Sequence, residues 1–199
     1  MDNPTGKVAV IGSGYWGKNL VRNFHELGAL RWVCDANEAA LEEVRTKYNV
    51  LTTRDLETVL NDPEVQGVVI AVPAAQHYDV ARRCLLRDKD VYVVKPLALH
   101  ASEGQKLVNL AAERKRILMV GHILEYHPAV LALNRMIHAG ELGRIQYIHS
   151  SRLNMGKLRT EDNIMWSFAP HDIPAILFLP TSPPSQFFSH GGDSPLCPP

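Results

Sequence analysis

The chain has 199 residues, 46% hydrophobic and 21% charged, with 21 basic side chains against 21 acidic ones. That length accommodates one full domain and part of another; the balanced charge argues against a nucleic-acid or anionic-membrane surface, and no apolar run approaches the roughly 20 residues that span a bilayer. Cys34, Cys84 and Cys197 are far apart and odd in number, and Cys34 and Cys84 sit in apolar settings, which suits reduced core thiols in a cytoplasmic protein; the polar first six residues lead straight into the first apolar run, so no secretion signal is expected.

A short apolar run, Val8 to Ile11, reads as a buried strand. It is followed at once by Gly12, Gly14 and Gly17 and then by an amphipathic helix with Leu20, Val21, Phe24 and Leu27 on one face. Glycines at a strand-to-helix turn suit a dinucleotide pyrophosphate, which can meet the helix N-terminus there. Gly12 permits the tight turn, Gly14 lets the backbone approach phosphate, and Gly17 lets the helix lie close to the strand. A second apolar run, Arg31 to Cys34, ends in Asp35, 18 positions after Gly17. A carboxylate at that place accepts hydrogen bonds from the adenosine ribose hydroxyls. It also repels a 2′-phosphate, and Ala36 and Asn37 offer no cation, so the cofactor expected is NAD rather than NADP.

Strands and helices then alternate. Residues 38–48 read as a helix, 51–53 as a brief strand, 56–60 as a short helix, 65–72 as a buried strand, 78–86 as a helix, 91–94 as a strand, 102–115 as a helix and 117–120 as a sixth strand. This order predicts an α/β fold, a doubly wound parallel sheet with helices on both faces. Ligands bind such sheets at the carboxyl ends of the strands. Past Gly121 the character changes: a crossing segment over 122–128, a helix over 129–137, a turn from Gly140 to Gly143, and Ile145 to Leu153 alternating like the first strand of an antiparallel sheet. The expected organisation is a nucleotide-binding domain over 1–122, the start of an incomplete α+β second domain over 123–177, and an irregular tail over 178–199, where six prolines fall within residues 180–199. No internal repeat and no metal-ligand spacing stand out.

Three strand ends or helix starts carry polar groups suited to chemistry. The fourth strand ends at Val72 and is followed by Pro73, with His77 opening the next helix; the residues alone leave open whether His77 only starts a helix or touches a ligand. Lys95 follows a buried strand and precedes Pro96, so its backbone is fixed and its ammonium is held at the cleft. There burial and a neighbouring positive ring make it a usable proton donor or acceptor. Pro170 suits the first turn of a helix and puts His171 and Asp172 at its start, either as a cap or as a base.

Together, the glycine turn, Pro73 with His77, Lys95 with Pro96, and Pro170 with His171 and Asp172 resemble the glucose–fructose oxidoreductase / inositol dehydrogenase family, over residues 7 to about 177. The stretches 122–130, 140–147 and 163–172 are most similar to its bacterial branch acting at C3 of UDP-N-acetyl-glucosaminuronate. The resemblance implies a Rossmann domain, NAD, and hydride transfer from a sugar carbon, with Lys95 beside the reacting hydroxyl and His171 removing its proton. It implies a cofactor surface of Gly12, Gly14, Tyr15, Trp16, Gly17, Asp35, Val72, Pro73, His77 and Lys95. It implies a sugar-nucleotide surface of Asn154, Lys157, Arg159, Asn163, Trp166 and His171, whose cations suit an anionic diphosphate. The resemblance also implies homo-oligomers, which family members usually form through a second-domain sheet that is mostly missing from this sequence, and, for the sugar-nucleotide branch, a place in making cell-surface polysaccharide sugars.

The chain departs from that pattern in two places. The family has Glu-Lys-Pro where Val94 precedes Lys95 here, and it continues well beyond residue 199. A shortened chain of this kind is expected to bind NAD and to turn over slowly or not at all, so a non-catalytic NAD-binding remnant is the alternative. Pro174 is expected to kink the helix around His171.

Overall fold

The computed structural model describes residues 7–151, 164–180 and 186, with the backbone alone for 164–168. The chain divides into two compact units, Met1–His122 and Ile123–Pro199.

In the first unit, six strands form one parallel sheet in the order β3-β2-β1-β4-β5-β6. They are β1 (Val8–Ile11), β2 (Leu30–Cys34), β3 (Leu51–Thr53), β4 (Gly67–Ile70), β5 (Asp90–Val94) and β6 (Leu118–Gly121). The helices between them are α1 (Gly17–Glu26), α2 (Glu38–Lys47), α3 (Leu56–Leu60), α4 (His77–Leu86) and α5 (Ala101–Arg114). Alternation along each strand sorts side chains to two faces. Ala9, Ile11, Val68, Ile70, Val91 and Val93 pack with Val59, Ala81, Leu85 and Leu107 from α3, α4 and α5. Val10, Val33 and Val69 pack with Val21 from α1 and Leu41 and Val44 from α2. The sheet is therefore covered from both sides, the arrangement that all-parallel sheets require. The chain reverses its direction of travel across the sheet between β1 and β4, which opens a crevice at their carboxyl ends.

Helix starts follow local chemistry. Asn37 Oδ1 accepts from the Ala39 N–H at 3.0 Å and Asp55 Oδ1 from the Glu57 N–H at 3.0 Å, capping α2 and α3. Cys34 and Cys84 are free and buried. Burial above all pushes their thiols up, to about 11 and about 12, which leaves both unreactive near neutral pH.

The opposite, amino-terminal end of the sheet is held by a polar knot. Asp62 Oδ2 accepts from Arg31 Nε at 2.8 Å and from Trp32 Nε1 at 2.7 Å, and Oδ1 accepts from the Glu64 N–H at 2.9 Å. Lys89, 7% exposed, donates from Nζ to the carbonyls of Asp62 and Val65 at 2.9 and 2.7 Å. This knot corrects the expected strand over 65–72. Val65 gives its N–H to the Asp62 carbonyl and its own carbonyl to Lys89, so it closes a loop, and the strand runs only from Gly67 to Ile70.

The second unit contains α6 (Pro128–His138) and α7 (Ile164–Phe178). His127 caps α6 with Nδ1 accepting from the Ala129 N–H, and Pro128 occupies the first turn. Asn134 Nδ2 donates to the Phe178 carbonyl at 2.8 Å, tying α6 to the end of α7. Two expectations are corrected here. Residues 145–151 of the anticipated strand Ile145 to Leu153 are irregular, and Tyr147 is 85% exposed. Alternation alone makes no strand without a neighbour to complete its ladder, and none pairs with it among the described residues. Pro170 does not open a helix: α7 begins at Ile164 and carries Pro170 and Pro174 inside it. Spaced four apart, the two prolines share one helix face, so both missing N–H donors fall along a single line. Among the described residues no helix is long and apolar enough to cross a membrane.

The Asp62 knot makes a stability prediction. Burial pushes its carboxyl up, but the hydrogen bonds from Trp32, Arg31 and Glu64 outweigh this and hold it below the usual carboxylate range. The folded state then binds fewer protons than the unfolded one, so this contribution is present above about pH 4 and is lost as pH falls through the lowered value. Asp62→Ala, which leaves Arg31 buried without this partner, is expected to cost about 3–5 kcal/mol in urea denaturation at pH 7. Asp62→Asn is expected to flatten the acid limb of the stability profile.

Candidate functional site

The crevice between β1 and β4 is built around Gly12. Its N–H donates to the Cys34 carbonyl at 2.8 Å, and the Ala71 N–H donates to the Ile11 carbonyl at 2.8 Å, so the strands stay laced up to the turn. Gly12 has φ +91°, and a Cβ there would lie 2.7 Å from the Ala71 carbonyl oxygen. Both facts restrict the position to glycine. A Cβ on Gly17 would collide with the Gly12 carbonyl, so the first residue of α1 lies directly against the turn. A Cβ on Gly14 would meet nothing within 4 Å. The start of α1 has no side-chain cap and no acid in its first turn. Its first turn and the positive end of the helix dipole therefore face the glycine turn with no acid from the helix itself, which fits a dinucleotide pyrophosphate. Tyr15 and Trp16, 81% and 44% exposed, flank the opening.

Asp35 follows β2 at the same end of the sheet. Its Oδ2 accepts from the Ser13 N–H at 2.6 Å and from Ser13 Oγ at 2.9 Å, and its Oδ1 accepts from the Asn37 N–H at 2.8 Å. The carboxylate thus reaches from one strand end to the glycine turn. Ser13 is a residue that the sequence reading passed over; its signal was a hydroxyl between two glycines with an acid at the neighbouring strand end.

Beyond β4, Val72 is half-buried and Pro73 exposed, and a short 3-10 turn (Ala74–Gln76) leads into α4. His77 lies beneath this loop and is 1% exposed. Its Nδ1 is 2.6 Å from the Pro96 carbonyl and its Nε2 is 2.8 Å from the Val72 carbonyl. Each ring nitrogen of His77 thus lies within hydrogen-bond reach of a backbone carbonyl, and the imidazole, donating to one or the other, sits between the loop after β4 and the loop after β5. Lys95 sits at the end of β5, half-buried, next to buried Pro96 and on the same edge of the sheet as the glycine turn.

In the second unit, His171 is half-buried within α7. His171 therefore stands inside the helix and not at the expected helix start. The adjacent Asp172 accepts from Ser150 Oγ at 2.9 Å. Asn154, Lys157, Arg159 and Asn163 lie outside the described residues, as does the side chain of Trp166.

A family model described as an oxidoreductase family with an NAD-binding Rossmann fold matches residues 6–122. The UDP-N-acetylglucosamine 3-dehydrogenase of Acidithiobacillus ferrooxidans is 28% identical over 179 residues, 89% of this chain and 55% of that protein. The 2,7-anhydro-N-acetylneuraminate hydratase of Mediterraneibacter gnavus is 23% identical over 194 residues, 93% of this chain and 52% of that one. Among solved structures, GenD2 from gentamicin A biosynthesis, in complex with NAD, superposes with a TM-score of 0.66 at 29% identity, over 69% of this chain and 40% of that one. The chain spans about half the length of the curated relatives it matches.

The contact of Gly17 with the turn is the most exacting in the site. Gly17→Ala is expected to abolish NADH binding in fluorescence titration and to destabilise the first unit by about 1–3 kcal/mol. Gly14→Ala, with open space around it, is expected to leave the melting temperature unchanged.

Proposed function

Because the chain belongs to the oxidoreductase family with an NAD-binding Rossmann fold, we propose that it oxidises a hydroxyl of a sugar nucleotide, the C3 hydroxyl of UDP-N-acetyl-glucosaminuronate or a close relative, in the making of cell-surface polysaccharide sugars. The observation that carries this reading is the joint placement of the glycine turn, Asp35 and the half-buried Lys95 along one carboxyl edge of the sheet. The A. ferrooxidans relative is named for a UDP-N-acetylated amino sugar and the M. gnavus relative for an N-acetylated sugar acid, which favours an N-acetylated sugar substrate.

When bound, NAD supplies the hydride acceptor. Oxidation of a secondary alcohol there would also require a base for the hydroxyl proton. Lys95 holds the substrate hydroxyl by donating to its oxygen from a backbone fixed by Pro96, and His171 takes the proton. Asp35 accepts from the adenosine ribose, and Gly12, Gly14 and Gly17 bring backbone N–H groups to the pyrophosphate. Val72 and Pro73, after β4, would help to hold the cofactor at this edge.

A second reading, NAD binding without catalysis, is favoured by Val94 in place of the family's glutamate before Lys95 and by the irregular course of residues 145–151.

Two measurements test the reading. Asp35→Ala is expected to weaken NADH by about 5- to 150-fold, the effect of losing about 1–3 kcal/mol of ribose hydrogen bonding. Adding Ala36→Arg is expected to create NADPH affinity. With UDP-N-acetyl-glucosaminuronate and NAD, the chain is expected to form NADH slowly, and Lys95→Met or His171→Asn to lower that rate at least about 100-fold. Intact NADH binding with no turnover selects the second reading.

A further inference from the structure

We propose that Ser13 is a specificity-determining positioning residue: its hydroxyl pins the Asp35 carboxylate over the glycine turn and thereby sets the preference for NAD over its 2′-phosphorylated form. The inference rests on the reading of Asp35 as the ribose acid.

Ser13 lies between Gly12 and Gly14 and is 8% exposed, so its hydroxyl requires an internal partner. That partner is Asp35 Oδ2, which receives both the Ser13 hydroxyl at 2.9 Å and the Ser13 N–H at 2.6 Å. Oδ1 is held by the Asn37 N–H at 2.8 Å. A carboxylate has about four acceptor positions; three are engaged, and the remaining one is on Oδ1. The carboxylate cannot turn without breaking charge-assisted bonds, so its charge stays fixed beside the turn with one acceptor position left. A ribose hydroxyl can donate to that position. A phosphate brings negative charge to it instead.

The surroundings make this fixed charge decisive. Ser13 also borders a cavity of about 170 Å³ between α1 and α2, lined further by Lys18, Arg22 and Lys47, with Glu43 as its acid. Lys47 pairs with Glu43, and Arg22 reaches Glu26 at 3.8 Å. Even with those pairs the lining carries three cations against one acid, so discrimination against a phosphate depends on where Asp35 is held. Without the Ser13 hydroxyl, Asp35 keeps one backbone anchor at the turn and gains freedom to move away from it. NAD then loses an aligned acceptor while the phosphorylated cofactor escapes part of the repulsion.

The test is fluorescence titration of the full chain and its variants with NADH and NADPH. Ser13→Ala is expected to narrow the ratio of the two dissociation constants by about fivefold, and Ser13→Thr, which keeps the hydroxyl, to preserve it. Thermal melts without cofactor establish that each variant is folded. The inference is overturned if Ser13→Ala weakens both cofactors equally, or leaves the ratio unchanged while Asp35→Ala narrows it. If Asp35→Ala also leaves the ratio unchanged, the ribose reading of Asp35 fails and takes this inference with it.

Discussion

The carboxyl edge of the sheet is organised by how closely two other pieces of backbone come to Gly12. The Ala71 carbonyl approaches from β4 and the first residue of α1 approaches from the helix side, each to a distance that no side chain tolerates. These contacts fix where α1 begins and how it points. They hold its N-terminal N–H groups at the crevice where the chain reverses direction between β1 and β4. The parallel sheet supplies the rest: every strand ends at the same edge, so the acid after β2, the loop after β4 and the lysine after β5 are neighbours in one row although they are spread over sixty residues of sequence.

The two ends of the sheet treat charge differently. At the amino-terminal end, Asp62, Arg31 and Lys89 satisfy one another and nearby carbonyls, and together they close the turns that join the strands. At the carboxyl end, Asp35 is only partly satisfied and Lys95 only partly covered. The polar groups at the first end serve folding; those at the second retain capacity for a ligand. Division of labour between the two rims is characteristic of open α/β sheets, and here it is visible in hydrogen-bond partners rather than inferred from topology alone.

The sheet and its cofactor edge were legible in the sequence because their causes are local. Glycine spacing reports backbone crowding, and period-two alternation between Ala9 and Val10, or Val68 and Val69, reports two covered faces. What was not legible depends on partners distant in sequence. Ser13 matters through a residue 22 positions away, and His77 through a carbonyl 19 positions away. Val65 looks like strand until Lys89 claims its carbonyl. Ile145 to Leu153 has the alternation of a strand, yet alternation describes only which side of a strand is apolar. It does not supply the neighbouring chain on which a strand depends, and Tyr147 shows the result by standing in solvent.

His77 carries a consequence for ligand binding. An imidazole set between the Val72 and Pro96 carbonyls makes the loop after β4 and the loop after β5 move as one piece. Ordering a loop on binding costs conformational entropy, and a pair of independent loops incurs it twice. Here the imidazole contributes part of that ordering before any ligand arrives. The walls bearing Pro73 and Lys95 are to that extent preorganised, so the affinity gained from contacts along them is less eroded by the need to freeze them.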